Sequence, residues 1–218
     1  MPLHLPAICI VTRVRGRAGG GERAALLDRL AAGARAGATM IQVRERQIDD
    51  RSLLEFLEQV TKAVRPAGTA VMVNDRADVA LAAGADGVHL KSDAPPAEEV
   101  RRLAPGGFLI GRSVHSEDEA ATAAAPGACD YLVFGTVFRS SSKPDDHPVA
   151  GLEALRAVCR RVNIPVLAIG GIAANRVADV AAAGAAWVAA ISLFAEAAAI
   201  ETRVHALRGA LTVPSRRV

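Results

Sequence analysis

Eight short, β-rich apolar runs, each followed by a helical pattern, are the feature that most constrains the fold of this chain. The apolar runs lie at residues 8–11, 40–43, 70–73, 87–90, 108–110, 131–134, 165–169 and 187–191. Helical patterns follow them, for example at residues 22–36, 49–64, 97–103, 116–124 and 175–183. Continuous apolar strands that alternate with helices indicate a parallel sheet whose two faces are both covered.

The number of these units selects the architecture. Eight strand–helix units in 218 residues predict a single (β/α)8 TIM barrel, with one domain over residues 1–218. Glycines stand between a helix and the next strand, where a left-handed residue most easily ends a helix; they are Gly37, Gly84, Gly127 and Gly184. A doubly wound open sheet is the structural alternative.

Composition argues against several classes of partner. Aromatic residues make up only 3% of the chain, fewer than expected of a protein that stacks single-stranded nucleic acid bases. The net charge of +3 is spread along the chain, and no segment has the length and low charge of a membrane span. The three cysteines are widely separated, which indicates buried thiols in a reducing compartment. We therefore expect a cytoplasmic protein that binds neither nucleic acid nor membrane.

Polar and cationic residues collect where the predicted strands end. The carboxyl ends of the strands form the active-site face of a barrel of this kind, so these residues are expected to share one cavity. The candidates for substrate binding are Gln42, Arg44, Arg46, Asn74, Ser113, Ser140, Ser142 and Lys143.

Glycines and cations at this face indicate an anionic ligand. Gly170 and Gly171 end the seventh strand, and Ile191 and Ser192 end the eighth, just before a helical pattern. Backbone N–H groups of such turns bind phosphate, and phosphate sites recur after these two strands of a barrel. The alternative is that the two glycines only allow a tight turn.

His115 is the candidate acid or base. It follows the fifth strand in "GRSVHSEDEA", and an imidazole titrates close to neutral pH. The alternative is a solvated residue at the start of the next helix, because Ser116 and Glu119 have the spacing of a capping box.

Five segments carry a resemblance that covers almost the whole chain. They are "QVRER", "VNDRADVALAAGADGVHL", "GRSVHSEDEA", "DYLVFGTVFRSSSK" and "IPVLAIGGIAANRVADVAAAGA". These segments resemble the motif series of the thiamine-phosphate synthase superfamily. Its two branches are thiamine-phosphate synthase and the TenI-type thiazole tautomerase, and both bind a thiazole phosphate. The resemblance therefore implies a small-molecule thiazole phosphate ligand, and it leaves a homodimer open.

The synthase branch implies Mg2+, which two Asp residues and a leaving pyrophosphate would hold. The first family Asp corresponds to Asp75, a metal ligand here only if synthase activity is retained. The second falls on Ala94, one residue after Asp93, and Lys91 replaces a family Gly. The pyrophosphate loop reads Ser140-Ser141-Ser142-Lys143 in place of Thr-x-Thr-Lys, and Arg46 replaces a Lys. These departures weaken the synthase interpretation.

The tautomerase branch has a His where this chain has His115, and it needs no metal or redox cofactor. Our main prediction is therefore an isomerase of thiamine biosynthesis. It would convert a dihydrothiazole carboxylate phosphate to the aromatic thiazole carboxylate phosphate, with His115 transferring the proton.

Three alternatives stay open. The first is thiamine-phosphate synthase itself, which would join hydroxymethylpyrimidine pyrophosphate to thiazole phosphate with Mg2+. The second is a non-catalytic regulator that binds thiazole phosphate. The third, on fold grounds alone, is a sugar-phosphate isomerase or aldolase that would use Lys91 or Lys143 with Glu45.

Overall fold

The eight strands form one closed, parallel barrel. The structure is a computed structural model that describes residues 7–13, 20–45, 47–125, 127–140, 144, 146–194, 196 and 199–211. The strands are β1 (Ala7–Val11), β2 (Met40–Val43), β3 (Ala70–Asn74), β4 (Gly87–Leu90), β5 (Leu109–Val114), β6 (Tyr131–Phe134), β7 (Val166–Ile169) and β8 (Trp187–Ala190). Each pairs in parallel with its sequence neighbours, and β8 pairs with β1. The predicted (β/α)8 barrel is confirmed, and the open-sheet alternative is wrong.

Helices surround the barrel. They are α1 (Gly20–Arg35), α2 (Asp50–Val64), α3 (Ala77–Ala82), α4 (Ala97–Leu103), α5 (Glu117–Ala124), α6 (Gly151–Arg161), α7 (Val177–Ala182) and α8 (Ile200–Leu211). The helix predicted from residue 49 begins one residue later, because the Asp49 side chain caps it by accepting the Ser52 N–H. No helix in the described part of the chain is both long and apolar enough for a transmembrane span.

β5 is longer than predicted, and this changes where Ser113 and His115 lie relative to the strand. The predicted run ended at residue 110, but β5 continues to Val114. The extension forms because Ser113 and Val114 pair with Val133 and Phe134 of β6. Ser113 therefore lies within the strand, and His115 is the first residue beyond it.

The core has two layers, one between sheet and helices and one inside the barrel. The interior layer contains Met40, Met72, Tyr131 and Leu167, all almost fully buried. Such large side chains fit because other inward positions are small. A methyl group at Gly111 would overlap the ring of Tyr131. Glycine is therefore required there to admit the aromatic ring.

Two aspartates at the amino ends of strands fasten neighbouring strands together. Asp86 precedes β4 and accepts the N–H of Val71 at 2.8 Å, and Asp130 precedes β6 and accepts the N–H of Ile110 at 2.6 Å. Asp130 also forms a 2.6 Å ion pair with Arg101. These carboxylates satisfy backbone groups at the end of the barrel opposite the cavity described below.

We expect Gly111→Ala to lower the free energy of unfolding by about 1–3 kcal/mol, because overpacking forces the Tyr131 ring to shift. Urea denaturation measures the change. Gly106→Ala is the matched control, since nothing lies within 4 Å of the added methyl group at that position. Equal stability of the two variants would contradict this account of the interior.

Candidate active site

A cavity of about 660 Å³ opens at the carboxyl ends of the strands. Its volume lies in the range typical of small-molecule sites. The predicted residues that line it are Gln42, Arg44, Asn74, Ser113, His115, Ser140, Gly170, Gly171 and Ile191. The barrel thus brings together residues from β2 to β8 that are up to 149 positions apart in the sequence (42 to 191).

The remaining candidates divide into three cases. Asp75 lies next to the wall and contacts residues that line it. Arg46, Ser142 and Lys143 lie outside the described residues. Ser192 begins a 3-10 turn, Ser192–Phe194, directly after Ile191.

A chain of hydrogen bonds runs along the wall from β2 to β4. Gln42 Nε2 donates to Asn74 Oδ1 at 2.9 Å, and Asn74 Nδ2 donates to Asp75 Oδ2 at 2.7 Å. The other oxygen of Asp75 accepts the backbone N–H of Lys91 at 2.7 Å. Both carboxylate oxygens are therefore held, and the orientation of Asp75 is set before a ligand binds.

Asp75 has a left-handed backbone, with φ of 62°. Asp adopts this conformation more readily than most residues, although at a cost in free energy. Its N–H donates to the carbonyl of His89 at 2.9 Å, which holds the turn against β4. The turn directs the chain from β3 into α3 and leaves Asp75 beside the cavity.

Lys91 places a positive charge between two carboxylates. Its Nζ atom lies 3.6 Å from Asp75 Oδ2 and 3.4 Å from Asp93 Oδ1. Lys91 and Asp93 line the cavity, whereas Asp75 does not. Among the described residues, no group of three or more His, Cys, Asp or Glu side chains has a metal-binding arrangement.

His89 forms part of the cavity floor although it is 3% exposed. Its Nε2 atom lies 2.9 Å from Ser113 Oγ, and its ring stacks on Tyr131 with centroids 5.8 Å apart. Burial, assisted by the nearby charge of Arg44, lowers the pKa of His89 to about 3. The ring is therefore neutral near pH 7 and positions Ser113 by a hydrogen bond.

His115 lies on the exposed side of the wall. Its Nδ1 atom is 2.6 Å from the carbonyl of Gly135, so in the neutral ring this nitrogen carries the proton and Nε2 the lone pair. Its backbone N–H donates to the Glu119 carboxylate, while Ser116 Oγ accepts the N–H of Glu119. The predicted capping interaction of Ser116 is confirmed. His115 nevertheless lines the cavity, so the two interpretations are compatible.

The glycine turn after β7 packs closely against the segment after β6. Gly170 and Gly171 have φ values of 98° and 63°. A methyl group at Gly171 would lie 2.6 Å from the carbonyl oxygen of Phe138. The tight-turn interpretation is thus correct for the backbone, and phosphate binding by the same turn stays a prediction.

The wall of the cavity carries more positive than negative charge. Among the described residues that line it, Arg13, Arg44 and Lys91 are positively charged and Asp93 is negatively charged. Cations concentrated in a cleft favour an anionic ligand. Arg13 was not predicted from the sequence. It follows β1, so the criterion used for the other candidates, a polar residue just after a strand, applies to it as well.

These features define the molecule as a (β/α)8-barrel protein with a polar, cationic ligand site at the carboxyl ends of its strands. A family model described as thiamine monophosphate synthase (TMP-TENI) matches residues 10–194. The chain therefore belongs to the thiamine monophosphate synthase family.

Individual relatives agree with this family. Thiamine-phosphate synthase of Methanoculleus marisnigri is 49% identical over 76% of this chain and 77% of its own length. The Roseiflexus sp. enzyme of the same name is 41% identical over 93% of this chain and 85% of its own. The structure of thiamine phosphate pyrophosphorylase from Pyrococcus furiosus matches with a TM-score of 0.80, at 32% identity, over 94% of this chain and 95% of that one.

These relatives overturn the main functional prediction. The tautomerase, and with it the isomerase class, is wrong, because relatives 40–49% identical to this chain carry the name thiamine-phosphate synthase, a transferase. The superfamily assignment is confirmed, and the family match does not specify the TenI-type branch.

The low pKa of His89 predicts a pH-dependent stability. Unfolding returns the pKa from about 3 to its ordinary 6.5, so the unfolded chain gains a proton as pH falls below that value. As the pH falls from about 7.5 to about 5, His89 alone should lower the free energy of unfolding by about 2 kcal/mol.

His89→Gln keeps a hydrogen-bonding group for Ser113 and removes the titration. Urea denaturation at both pH values should show a smaller loss of stability for the variant than for the unaltered chain, by about the same 2 kcal/mol. Identical losses would mean that His89 is not buried in its neutral form.

Proposed function

We propose that the chain is a thiamine-phosphate synthase, which joins hydroxymethylpyrimidine pyrophosphate to a thiazole phosphate. The observation that carries this proposal is the name shared by relatives 40–49% identical to this chain. The matched regions span three quarters or more of this chain in the two relatives described above. The family match covers residues 10–194, which include strands β2 to β8.

The topology supports two anionic substrates in one cavity. Asp75 and Lys91 stand at the ends of β3 and β4, whereas Gly171 and Ile191 stand at the ends of β7 and β8. Four strand positions separate β3 from β7, and β4 from β8, in a ring of eight, so the two pairs face each other across the mouth. We place the pyrophosphate on the side of β3 and β4 and the thiazole phosphate at the glycine turn.

The reaction exchanges one bond for another. The bond between the pyrimidine methylene carbon and a pyrophosphate oxygen breaks, and its electron pair leaves with the pyrophosphate. The lone pair of the thiazole nitrogen forms the new carbon–nitrogen bond, giving thiamine phosphate and pyrophosphate. Negative charge grows on the leaving group, so fixed cations such as Arg44 and Lys91 at the wall would stabilise the transition state.

An apolar floor would protect the electrophilic carbon from water. Val11, Val133, Ile169 and Ala189 line the cavity beneath its polar rim. Val133 and Ala189 are almost completely buried. A dry floor strengthens the rim electrostatics and disfavours hydrolysis of the pyrimidine substrate.

His115 has no proton to transfer in this reaction. Proton transfer by His115 was predicted only for the tautomerase. His115 still lines the cavity, whichever reaction the protein catalyses. We propose that His115 contacts a substrate instead, with its Nε2 atom as a hydrogen-bond acceptor.

Mg2+, the cofactor that the resemblance implies for a synthase, does not fit the residues present. Ala94 removes one expected ligand. The Lys91 ammonium lies between Asp75 and Asp93, where a cation would need to bind. We therefore derive the charge stabilisation from the side chains of this chain.

Purified protein incubated with hydroxymethylpyrimidine pyrophosphate and thiazole phosphate should release thiamine phosphate and pyrophosphate in equal amounts. Chromatography of the products measures both, in parallel reactions with Mg2+ and with a chelator. Omission of either substrate is the control. Absence of thiamine phosphate under both conditions would contradict the proposed function.

A further inference from the structure

Lys91 occupies a position where its charge can act on a ligand. Its side chain is 44% exposed and lines the cavity, and its Nζ atom lies within 4 Å of Asp75 and Asp93. Two carboxylates and one ammonium leave one net negative charge, and loss of the lysine would double it and strengthen the repulsion of a phosphate. The lysine thus offsets part of the negative charge on this side of the mouth.

The Asp75 side of this cluster is held in place. Asn74 and the Lys91 backbone N–H each donate to a different oxygen of Asp75, and Gln42 holds Asn74. Asp75 is only 21% exposed. Its carboxylate therefore offers a fixed partner that keeps the Lys91 ammonium at the edge of the cavity.

The loop that carries Asp93 and Ala94 is also held. Arg112 of β5 donates to three backbone carbonyls in it, those of Ser92 at 2.8 Å, Ala94 at 2.9 Å and Pro95 at 2.8 Å. A guanidinium with three acceptors resists a shift of this loop. Asp93 consequently remains beside Lys91 and does not take over the position of the missing carboxylate at residue 94.

We infer that the Lys91 ammonium, held by Asp75 and Asp93, binds the pyrophosphate group directly and supplies one positive charge at the position where a divalent cation would otherwise bind. This inference rests on the proposed function for the identity of the ligand. An ammonium has three N–H donors, so two carboxylate neighbours leave a donor for a pyrophosphate oxygen. The site thereby accepts pyrophosphate without a bound metal ion.

Calorimetric titration with inorganic pyrophosphate in the presence of a chelator tests this role. The unaltered chain should bind pyrophosphate, and Lys91→Gln should weaken the affinity by about tenfold or more, as expected for the loss of a charged hydrogen bond. Lys91→Arg keeps the charge and should retain most of the affinity. Lys62→Gln is the matched control, because Lys62 is exposed on α2, outside the cavity.

A merely structural ion pair would behave differently. Lys91→Gln would then bind pyrophosphate as well as the unaltered chain does, and that result would overturn the inference. Binding by the unaltered chain only when Mg2+ is added would overturn it as well. Thermal unfolding of each variant checks that it is folded.

Binding of Mn2+, followed by electron paramagnetic resonance without any substrate, provides a second readout. Lys91→Gly should bind Mn2+ about tenfold more tightly than the unaltered chain, since a competing positive charge is removed. Equal Mn2+ affinity would contradict the assignment of Lys91 as the resident cation.

These measurements separate the inference from the proposed function. Loss of pyrophosphate binding in Lys91→Gln, without any synthesis of thiamine phosphate by the unaltered chain, would reject the synthase and keep the anion site. Synthesis by the unaltered chain, with unchanged pyrophosphate binding in Lys91→Gln, would reject only the role of Lys91.

Discussion

Closure of the sheet between β1 and β8 is the constraint on which the site depends. In an open sheet, strands are spaced by about 4.8 Å, so β3 and β7 would lie about 19 Å apart along one edge. Pairing of Ala7–Ile10 with Trp187–Ala190 closes the ring and turns the ends of β3 and β4 toward those of β7 and β8. Because all the strands are parallel, their polar carboxyl-terminal residues then surround one cavity. The two proposed anion positions face each other across one cavity only in this closed arrangement.

Much of this arrangement could be predicted from the sequence. The apolar runs gave strand bounds that agree with β2, β4 and β6 to the residue, because buried parallel strands carry a strong local signal. β5 ran longer than predicted, since the pairing of Ser113 and Val114 depends on β6 and leaves no local pattern. The contact of His89 with Ser113, and the position of Lys91 between Asp75 and Asp93, could not be predicted either. Both depend on the register of neighbouring strands and on loop conformation.

The wrong choice between the two branches has a physical origin. Lys91 and Ala94 were interpreted as damage to a metal site, and His115 as the mark of a different reaction. A synthase needs positive charge beside its leaving group, and a lysine in a held position can provide it as a metal ion does. A motif comparison registers the lost ligand and the new lysine separately, whereas the structure shows that the lysine lies between the two carboxylates. The chemistry of a site is therefore assigned more safely from its total charge than from one missing residue.

A crystal structure with thiamine phosphate and pyrophosphate bound together would test the account most directly. We expect both products in the cavity at the carboxyl ends of the strands. Pyrophosphate oxygens should lie within hydrogen-bonding distance of Lys91 Nζ, and the phosphate of thiamine phosphate should contact backbone N–H groups near Gly171 and Ile191. The reverse orientation, or products bound outside this cavity, would contradict the account.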